Sequence, residues 1–240
     1  MKHGRVRSAA RLLAGATGLA CASYALCAGV TWWRYGFPSR PRNPEESDTL
    51  LDRFMPVYEA VERHSRDVAA SAEIALAAAC ELDLSQSVIA QSLFKARAWF
   101  MGTRSPEARE ERELLVEMQR LGWRILAEVP GREIVVGAVT QPWMADVVFQ
   151  GVPADEFAAF DQPGFVKIAW TLQADPIGPH ESVIRTETRV TTTDSSARRK
   201  FRKYWSLIFP GVVLTRLVLM SMAKRDAEGR ARALLRDRAY

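Results

Sequence analysis

The longest apolar stretch of the chain lies near its N-terminus, where Leu12–Trp33 forms 22 consecutive residues without a charged side chain. At a rise of about 1.5 Å per residue, a helix of this length spans a hydrocarbon core of about 30 Å. Trp32, Trp33 and Tyr35 stand at its far end, where aromatic side chains favour the membrane–water interface. The pattern predicts a single N-terminal transmembrane helix within residues 1–35.

The flanking charges predict the orientation of this helix. Four basic residues precede it, and none of the first 34 residues is acidic. Basic flanks stay in the cytoplasm, which predicts a single-pass protein of a bacterial-type inner membrane with its domain on the extracytoplasmic side. A cleaved signal peptide ending at Ala20–Ala22 is the alternative. It is less favoured because the apolar stretch continues beyond that site to the aromatic end.

Alternating apolar and polar residues predict an antiparallel sheet in the rest of the chain. Residues 123–129 and 133–140 alternate on either side of Pro130-Gly131, a turn pair, and so predict a β-hairpin. Other strands are predicted at Val57–Val68, Ala145–Val152, Phe165–Ala174 and Ser182–Thr193. Successive strands joined by short turns favour the α+β class over repeated βαβ units.

Helical spacing and capping residues predict the remaining elements. Ser71 is a plausible N-cap for a short apolar helix, and a second helix is predicted at Ser85–Trp99, followed by a charged segment at Ser105–Gln119. Asp194 or Ser195 is expected to cap a long final helix that is interrupted at Pro210-Gly211 and ends at about Arg225 or, alternatively, at Leu235. The predicted organisation is an anchor (1–35), a Pro-rich charged linker (36–51), a folded domain (52–226) and a basic tail (227–240).

This order of elements resembles the START/Bet v 1-type helix-grip superfamily, often described as polyketide cyclase-like or lipid-transport-like. The resemblance depends on VAASAEIALA at residues 68–77, GWRILAEVPGREIVVG at 122–137 and TTDSSARRKFRKYW at 192–205. It implies a curved antiparallel sheet wrapped around a long C-terminal helix, with a hydrophobic cavity between them for lipids, sterols or polyketides. A few members catalyse cyclisation or hydrolysis, but the family has no shared catalytic motif to transfer to this chain.

Charge and composition exclude several other functions. The net charge of +5 equals that of the first 34 residues, so the body is neutral and nucleic-acid binding is not indicated. Within the body, residues 35–194 carry −9 and residues 195–240 carry +9. Cys80 is the only cysteine outside the apolar stretch, no Cys/His cluster has metal spacing, and no glycine-rich phosphate loop occurs. No metal, cofactor or catalytic residue is therefore assigned.

The candidate site residues follow from the predicted sheet and final helix. The apolar residues expected to line the cavity are Trp123, Ile125, Phe149, Ile168, Trp170, Trp205, Phe209 and Val213. Glu187 and Arg189 lie two residues apart and hence on one strand face. If that face points into the cavity, they orient a polar head group or assist catalysis; if it faces solvent, they form a cross-strand charge ladder.

The apolar stretch Tyr204–Ala223 allows a second topology, in which it also spans the membrane. Arg216 near its centre opposes this, at about 2.5–3.5 kcal/mol, and so does Pro210-Gly211. The favoured interpretation is a helix that closes the cavity, with Arg216 pointing to solvent.

The leading hypothesis is a membrane-anchored binding protein for a hydrophobic small molecule or lipid. The alternatives are a cyclase- or hydrolase-type enzyme with Glu187, Arg189 and His64 as candidate groups, and a structural partner in a membrane assembly.

Overall fold

The computed structural model describes residues 2–35, 37, 39–40, 47–83 and 113–237, with side chains from Thr17 onward except that of residue 20. Its helices are α1 (Lys2–Arg34), α2 (Thr49–Asp52), α3 (Ala72–Cys80), α4 (Leu114–Arg120), α5 (Ala154–Phe157) and α6 (Ser195–Asp237). Its strands are β1 (Ala60–Val68), β2 (Arg124–Val129), β3 (Glu133–Thr140), β4 (Phe149–Gln150), β5 (Val166–Gly178) and β6 (Glu181–Thr192). The predicted helix Ser85–Trp99 and most of the charged segment Ser105–Gln119 lie outside these residues.

All strand pairs in the described sheet are antiparallel, in the order β1-β6-β5-β3-β2, with β4 also paired to β3. The predicted hairpin is confirmed as β2 and β3. The strand predicted at Ala145–Val152 is shorter than expected, because residues 142–146 form turns and bends and only Phe149–Gln150 pairs. An antiparallel sheet with a long C-terminal helix confirms the predicted α+β class and the helix-grip fold.

The two faces of the sheet are both covered. Even-numbered residues of β5 and β6 point towards α3 and α6, and we call this side the helix face. Odd-numbered residues point towards α2 and α5, and we call this side the outer face. Leu51 of α2 is fully buried on the outer face, and Ser39 exchanges backbone hydrogen bonds with Tyr58. The described parts of the predicted linker are thus bonded to the domain.

The C-terminal helix α6 begins at the predicted cap. The Asp194 carboxylate accepts hydrogen bonds from the backbone N–H groups of Ser196 at 2.6 Å and Ala197 at 2.9 Å. The expected interruption at Pro210-Gly211 is wrong, since α6 continues through it to Asp237. Among the helices whose side chains are described throughout, α6 is the one that is long and apolar enough to cross a membrane; α1 is described with side chains only from Thr17 onward.

Helix α1 packs beside the first half of α6. The Tyr24 hydroxyl donates to the Leu207 carbonyl, and Arg202 Nε donates to the Trp32 carbonyl at 2.8 Å. The Tyr35 ring then packs against the ring of Trp205, with centroids 6.3 Å apart. These contacts hold the second half of α1 and Tyr35 against residues 202–207 of α6.

Gly122 fixes the turn between α4 and β2. Its φ is +97°, and a Cβ there would overlap the Phe149 carbonyl oxygen. We expect Gly122→Ala to lower the free energy of unfolding by about 1–3 kcal/mol, because an L side chain strains this backbone conformation. Thermal unfolding followed by circular dichroism measures the effect. Gly178→Ala is the control, since nothing lies within 4 Å of its added Cβ; equal losses in both variants would contradict this explanation.

Candidate ligand-binding site

An open cleft of about 290 Å³ lies where strand β1 forms the edge of the described sheet, between the end of α1 and the middle of α6. The Tyr35 hydroxyl donates to the Val61 carbonyl at 3.3 Å, and its ring lies 5.3 Å from that of Phe209. The end of α1 therefore forms one wall of the cleft. The lining residues are Arg34, Tyr35, Val61, Glu62, Arg63, His64, Phe209 and Val213.

Polar side chains on the helix face lie directly behind this cleft. Because strand residues alternate between faces, Glu62 and His64 both point to the helix face, and His64 Nε2 lies 2.8 Å from Glu62 Oε1. Thr188 and Thr186 of β6 pair with them across the strands. Together with Arg216 of α6, these residues form what we call the polar cluster.

Arg216 completes the cluster from the opposite side. Its Nη2 donates to Thr188 Oγ1 at 3.1 Å, and its guanidinium lies 5.3 Å from the centre of the Trp170 ring. Burial lowers the pKa of this guanidinium. The expectation that Arg216 points to solvent is wrong. It follows Val212 by four residues and precedes Met220 by four, so it shares their sheet-facing side of the helix.

Several polar atoms of this region have no hydrogen-bonding partner within the described residues. They are Glu62 Oε2, Thr186 Oγ1 and the Trp170 Nε1 group, and the three side chains belong to residues that are 7%, 3% and 2% exposed. Buried polar groups are normally hydrogen-bonded, and Trp205 Nε1 is a fourth such atom on the helix face, so this concentration is unusual. They mark the polar cluster and its surroundings as a place where a ligand can supply the missing bonds.

Apolar clusters border the polar cluster on both sides. Along the helix face of β6, apolar Val190 is followed towards the start of the strand by Thr188 and Thr186, and then by apolar Ile184. Of the predicted lining residues, Phe209 and Val213 border the cleft, and Trp205 lies in the apolar cluster around Val190. The others lie in or against the cluster around Ile184: Trp123, Ile125, Phe149, Ile168 and Trp170. Ile168 contacts both apolar clusters.

The structure places Glu187 and Arg189 on the outer face, away from the space beneath α6. Arg189 is fully buried; its Nε donates to Glu187 Oε1 at 2.6 Å and its Nη1 to the Met55 carbonyl at 2.8 Å. Arg63 Nε also donates to Glu187, at 2.8 Å. Neither expected environment is found: the pair faces neither the cavity nor solvent, because the segment containing Met55 covers this face.

A second carboxyl group is buried on the outer face at Glu133. Burial first, and then the nearby Asp48 carboxylate, raise the pKa of Glu133 to about 8. Asp48 also caps α2, where its Oδ1 accepts a hydrogen bond from the Leu51 N–H at 2.8 Å. At neutral pH the protonated Glu133 thus donates to Asp48 and joins the sheet to the cap of α2.

Two features of the sequence indicate the polar cluster, although the predicted site did not include its residues. Glu62 and His64 are spaced two apart on a predicted strand, the same spacing that identified Glu187 and Arg189. Arg216 stands within the apolar stripe of α6, which signals a cation facing the sheet. Alternation reveals which residues share a face, but only the packed structure reveals which element covers that face.

No group of three or more metal-binding side chains occurs among the described residues. Burial raises the pKa of the Cys80 thiol to about 12, so it stays protonated and is a poor nucleophile. The groups that the site provides are the Glu62 carboxylate, the His64 imidazole and the Arg216 guanidinium, with apolar side chains beside them.

No protein-family model and no curated protein matches the chain. Three solved structures are similar to it. A point mutant of norcoclaurine synthase from Thalictrum flavum, in complex with a transition-state analogue, is 13% identical with a TM-score of 0.35, over 71% of this chain and 96% of that one. A START superfamily protein from Mycobacterium smegmatis is 13% identical with a TM-score of 0.24, over 72% and 98%.

The third structure, the Zhui aromatase/cyclase from Streptomyces sp. R1128, is 10% identical with a TM-score of 0.26, over 69% of this chain and 94% of that one. Every TM-score is below 0.5, so these likenesses support no argument about ligand or reaction. By its own element order and sheet topology, the chain has the helix-grip fold.

Proposed function

We propose that this protein is a membrane-anchored binding protein for a hydrophobic or lipid-like ligand held between its sheet and its C-terminal helix. The observation that supports this is the cleft at the β1 edge, which leads to polar groups flanked by two apolar clusters. Ligand sites are usually concave and mostly apolar, with a few polar groups that fix orientation. The volume of about 290 Å³ suits one small molecule or one end of a longer chain.

The surface of α1 supports the proposed anchor. Leu19, Leu26 and Val30 are exposed over 72%, 70% and 53% of their surfaces, and Trp33 over 80%. Exposed apolar side chains along one helix suit contact with lipid. With the basic flank in the cytoplasm, the sheet lies on the extracytoplasmic side of a bacterial-type inner membrane, and the part of α6 around Leu207, which contacts Tyr24, lies at the membrane with α1. Tyr35 then holds the cleft beside the bilayer, which serves as the ligand reservoir.

Native mass spectrometry of the full-length chain, purified in detergent and followed by organic extraction, tests the binding function. We expect a co-purifying mass that extracts as a lipid or another apolar compound. Val213→Trp narrows the cleft and should lower the bound fraction, whereas Leu214→Trp, at a neighbouring position that is 46% exposed, should not. A folded protein that carries only its own mass, and binds no added lipid, would refute the proposal.

A cyclase- or hydrolase-type enzyme is the second candidate function, favoured by the 2.8 Å contact between Glu62 and His64 at the cleft. A carboxylate that orients an imidazole is a common arrangement for proton transfer. Hydrolysis of p-nitrophenyl octanoate tests this function. If the pair is catalytic, His64→Gln should abolish turnover that the wild type shows above background; turnover unchanged by His64→Gln would exclude His64 as the base.

A further inference from the structure

We propose that the polar cluster binds the head group of the ligand, and that this head group is uncharged and carries both hydroxyl donors and oxygen acceptors, as in a monoacylglycerol. The inference rests on the proposed binding function and names the ligand class for the same site.

The cluster needs both a donor and an acceptor from its ligand. Glu62 Oε2 has no partner within the described residues and, as a carboxylate oxygen, only accepts hydrogen bonds. Thr186 Oγ1 is also without a partner there and can donate or accept. Arg216 forms its hydrogen bond to Thr188 through one nitrogen, and a guanidinium has five N–H donors. A hydroxyl for Glu62 and an ester or hydroxyl oxygen for Arg216 satisfy both sides.

The charges disfavour an ionic head group. Glu62 and Arg216 are of opposite charge and flank the same residue, since Glu62 pairs with Thr188 across the strands and Arg216 donates to it. No carboxylate among the described residues lies within ion-pair distance of Arg216. A carboxylate ligand satisfies Arg216 but is repelled by Glu62 and offers it no donor. An ammonium ligand satisfies Glu62 but is repelled by Arg216 and offers it no acceptor. A hydroxylated neutral group avoids both.

The arrangement along β6 places apolar side chains on both sides of the polar cluster. Thr186 and Thr188 lie between Ile184 and Val190, which belong to the two apolar clusters on the helix face. Glu62 and His64 also border the cleft. A ligand whose head group occupies the polar cluster therefore finds apolar side chains on either side.

Three ligands with the same chain length but different head groups test the assignment: 1-monooleoylglycerol, oleate and 1-octadecene. Each is added to the full-length protein in detergent, and the bound fraction is measured by native mass spectrometry, singly and in competition. We expect 1-monooleoylglycerol to bind at least about tenfold more tightly than either of the others, since it makes two or more additional hydrogen bonds. Tighter binding of oleate overturns the inference but leaves the binding function intact. Binding of none of the three overturns both.

Thr186→Val separates a head-group role from a structural one. Valine has nearly the same shape and lacks the hydroxyl, so we expect affinity for 1-monooleoylglycerol to fall about three- to tenfold while affinity for 1-octadecene stays the same. The Tm should not fall, because the hydroxyl has no partner in the described structure. Thr191→Val, on the outer face of the same strand, is the matched control and should change neither affinity. Unchanged 1-monooleoylglycerol binding by Thr186→Val would overturn the assignment.

Discussion

Replacing Arg189 by methionine is expected to destabilise the domain by about 3–5 kcal/mol, because it removes the cation from a buried ionic network. Arg189 is 0% exposed and donates to the carboxylates of Glu187 and Asp52 as well as to the Met55 carbonyl. Without it, the Asp52 carboxylate loses its cationic partner beneath α2, and Glu187 keeps only its bonds to Arg63. Thermal unfolding of the full-length protein in detergent measures this as a fall in Tm of roughly 6–20 °C.

Arg185→Met is the control for this prediction. Arg185 lies on the same face of the same strand and donates to Asp175 at 2.7 Å, but its side chain is 53% exposed. Exposed ion pairs contribute only about 0–1 kcal/mol, so its Tm should change little. Similar Tm values for the two variants would show that the Arg189 network does not stabilise the fold.

Glu133→Gln is expected to change how stability depends on pH. The pKa of Glu133 is raised from 4.5 to about 8 in the folded protein, so the folded state keeps a proton that the unfolded state has lost. Its contribution to stability is therefore fully present below pH 4.5 and is lost as the pH rises through about 8. The loss amounts to about 2 kcal/mol, less than the full pKa shift implies, because Asp48 is partly exposed and water screens the pair.

Glutamine keeps an uncharged donor beside Asp48 at every pH. Tm values measured from pH 4.5 to 9 should therefore decline less for Glu133→Gln than for the wild type, and the variant should be the more stable protein above pH 8. Glu156→Gln, at an exposed position of α5, should follow the wild-type curve. If the Glu133→Gln curve also follows the wild type, Glu133 does not titrate in this range.

Much of the fold was predictable because alternation and turn residues are local signals. The β2–β3 hairpin, the long strands β5 and β6 and the Asp194 cap all lie where short-range patterns place them. The continuous course of α6 through Pro210 was not predictable from local propensity. There, packing of residues on both sides of the proline against the sheet outweighs the loss of one backbone hydrogen bond.

The candidate site was predictable only in part. Whether a polar strand residue belongs to the site depends on which element covers its face of the sheet. Glu187 and Arg189 were recognised as a same-face pair, but their cover is the segment around Leu51 and Met55, which carries no strong periodic pattern. Glu62 and Arg216 are 154 residues apart and meet only through the crossing of α6 over β1 and β6. No spacing within a single helix or strand predicts that these two residues lie near each other.

The packing of α1 against the cleft has a consequence for truncated forms of the protein. Within the described residues, strand β1 pairs with β6 on one side only, and along its other edge the Tyr35 hydroxyl donates to the Val61 carbonyl. An uncovered edge strand is a template for pairing with other chains. Removing residues 1–35 would expose this edge together with the Trp205 and Phe209 rings, which Tyr35 contacts. Residues 1–35 thus also protect the β1 edge from pairing with other chains, and a version of the protein that lacks them is expected to self-associate through β1.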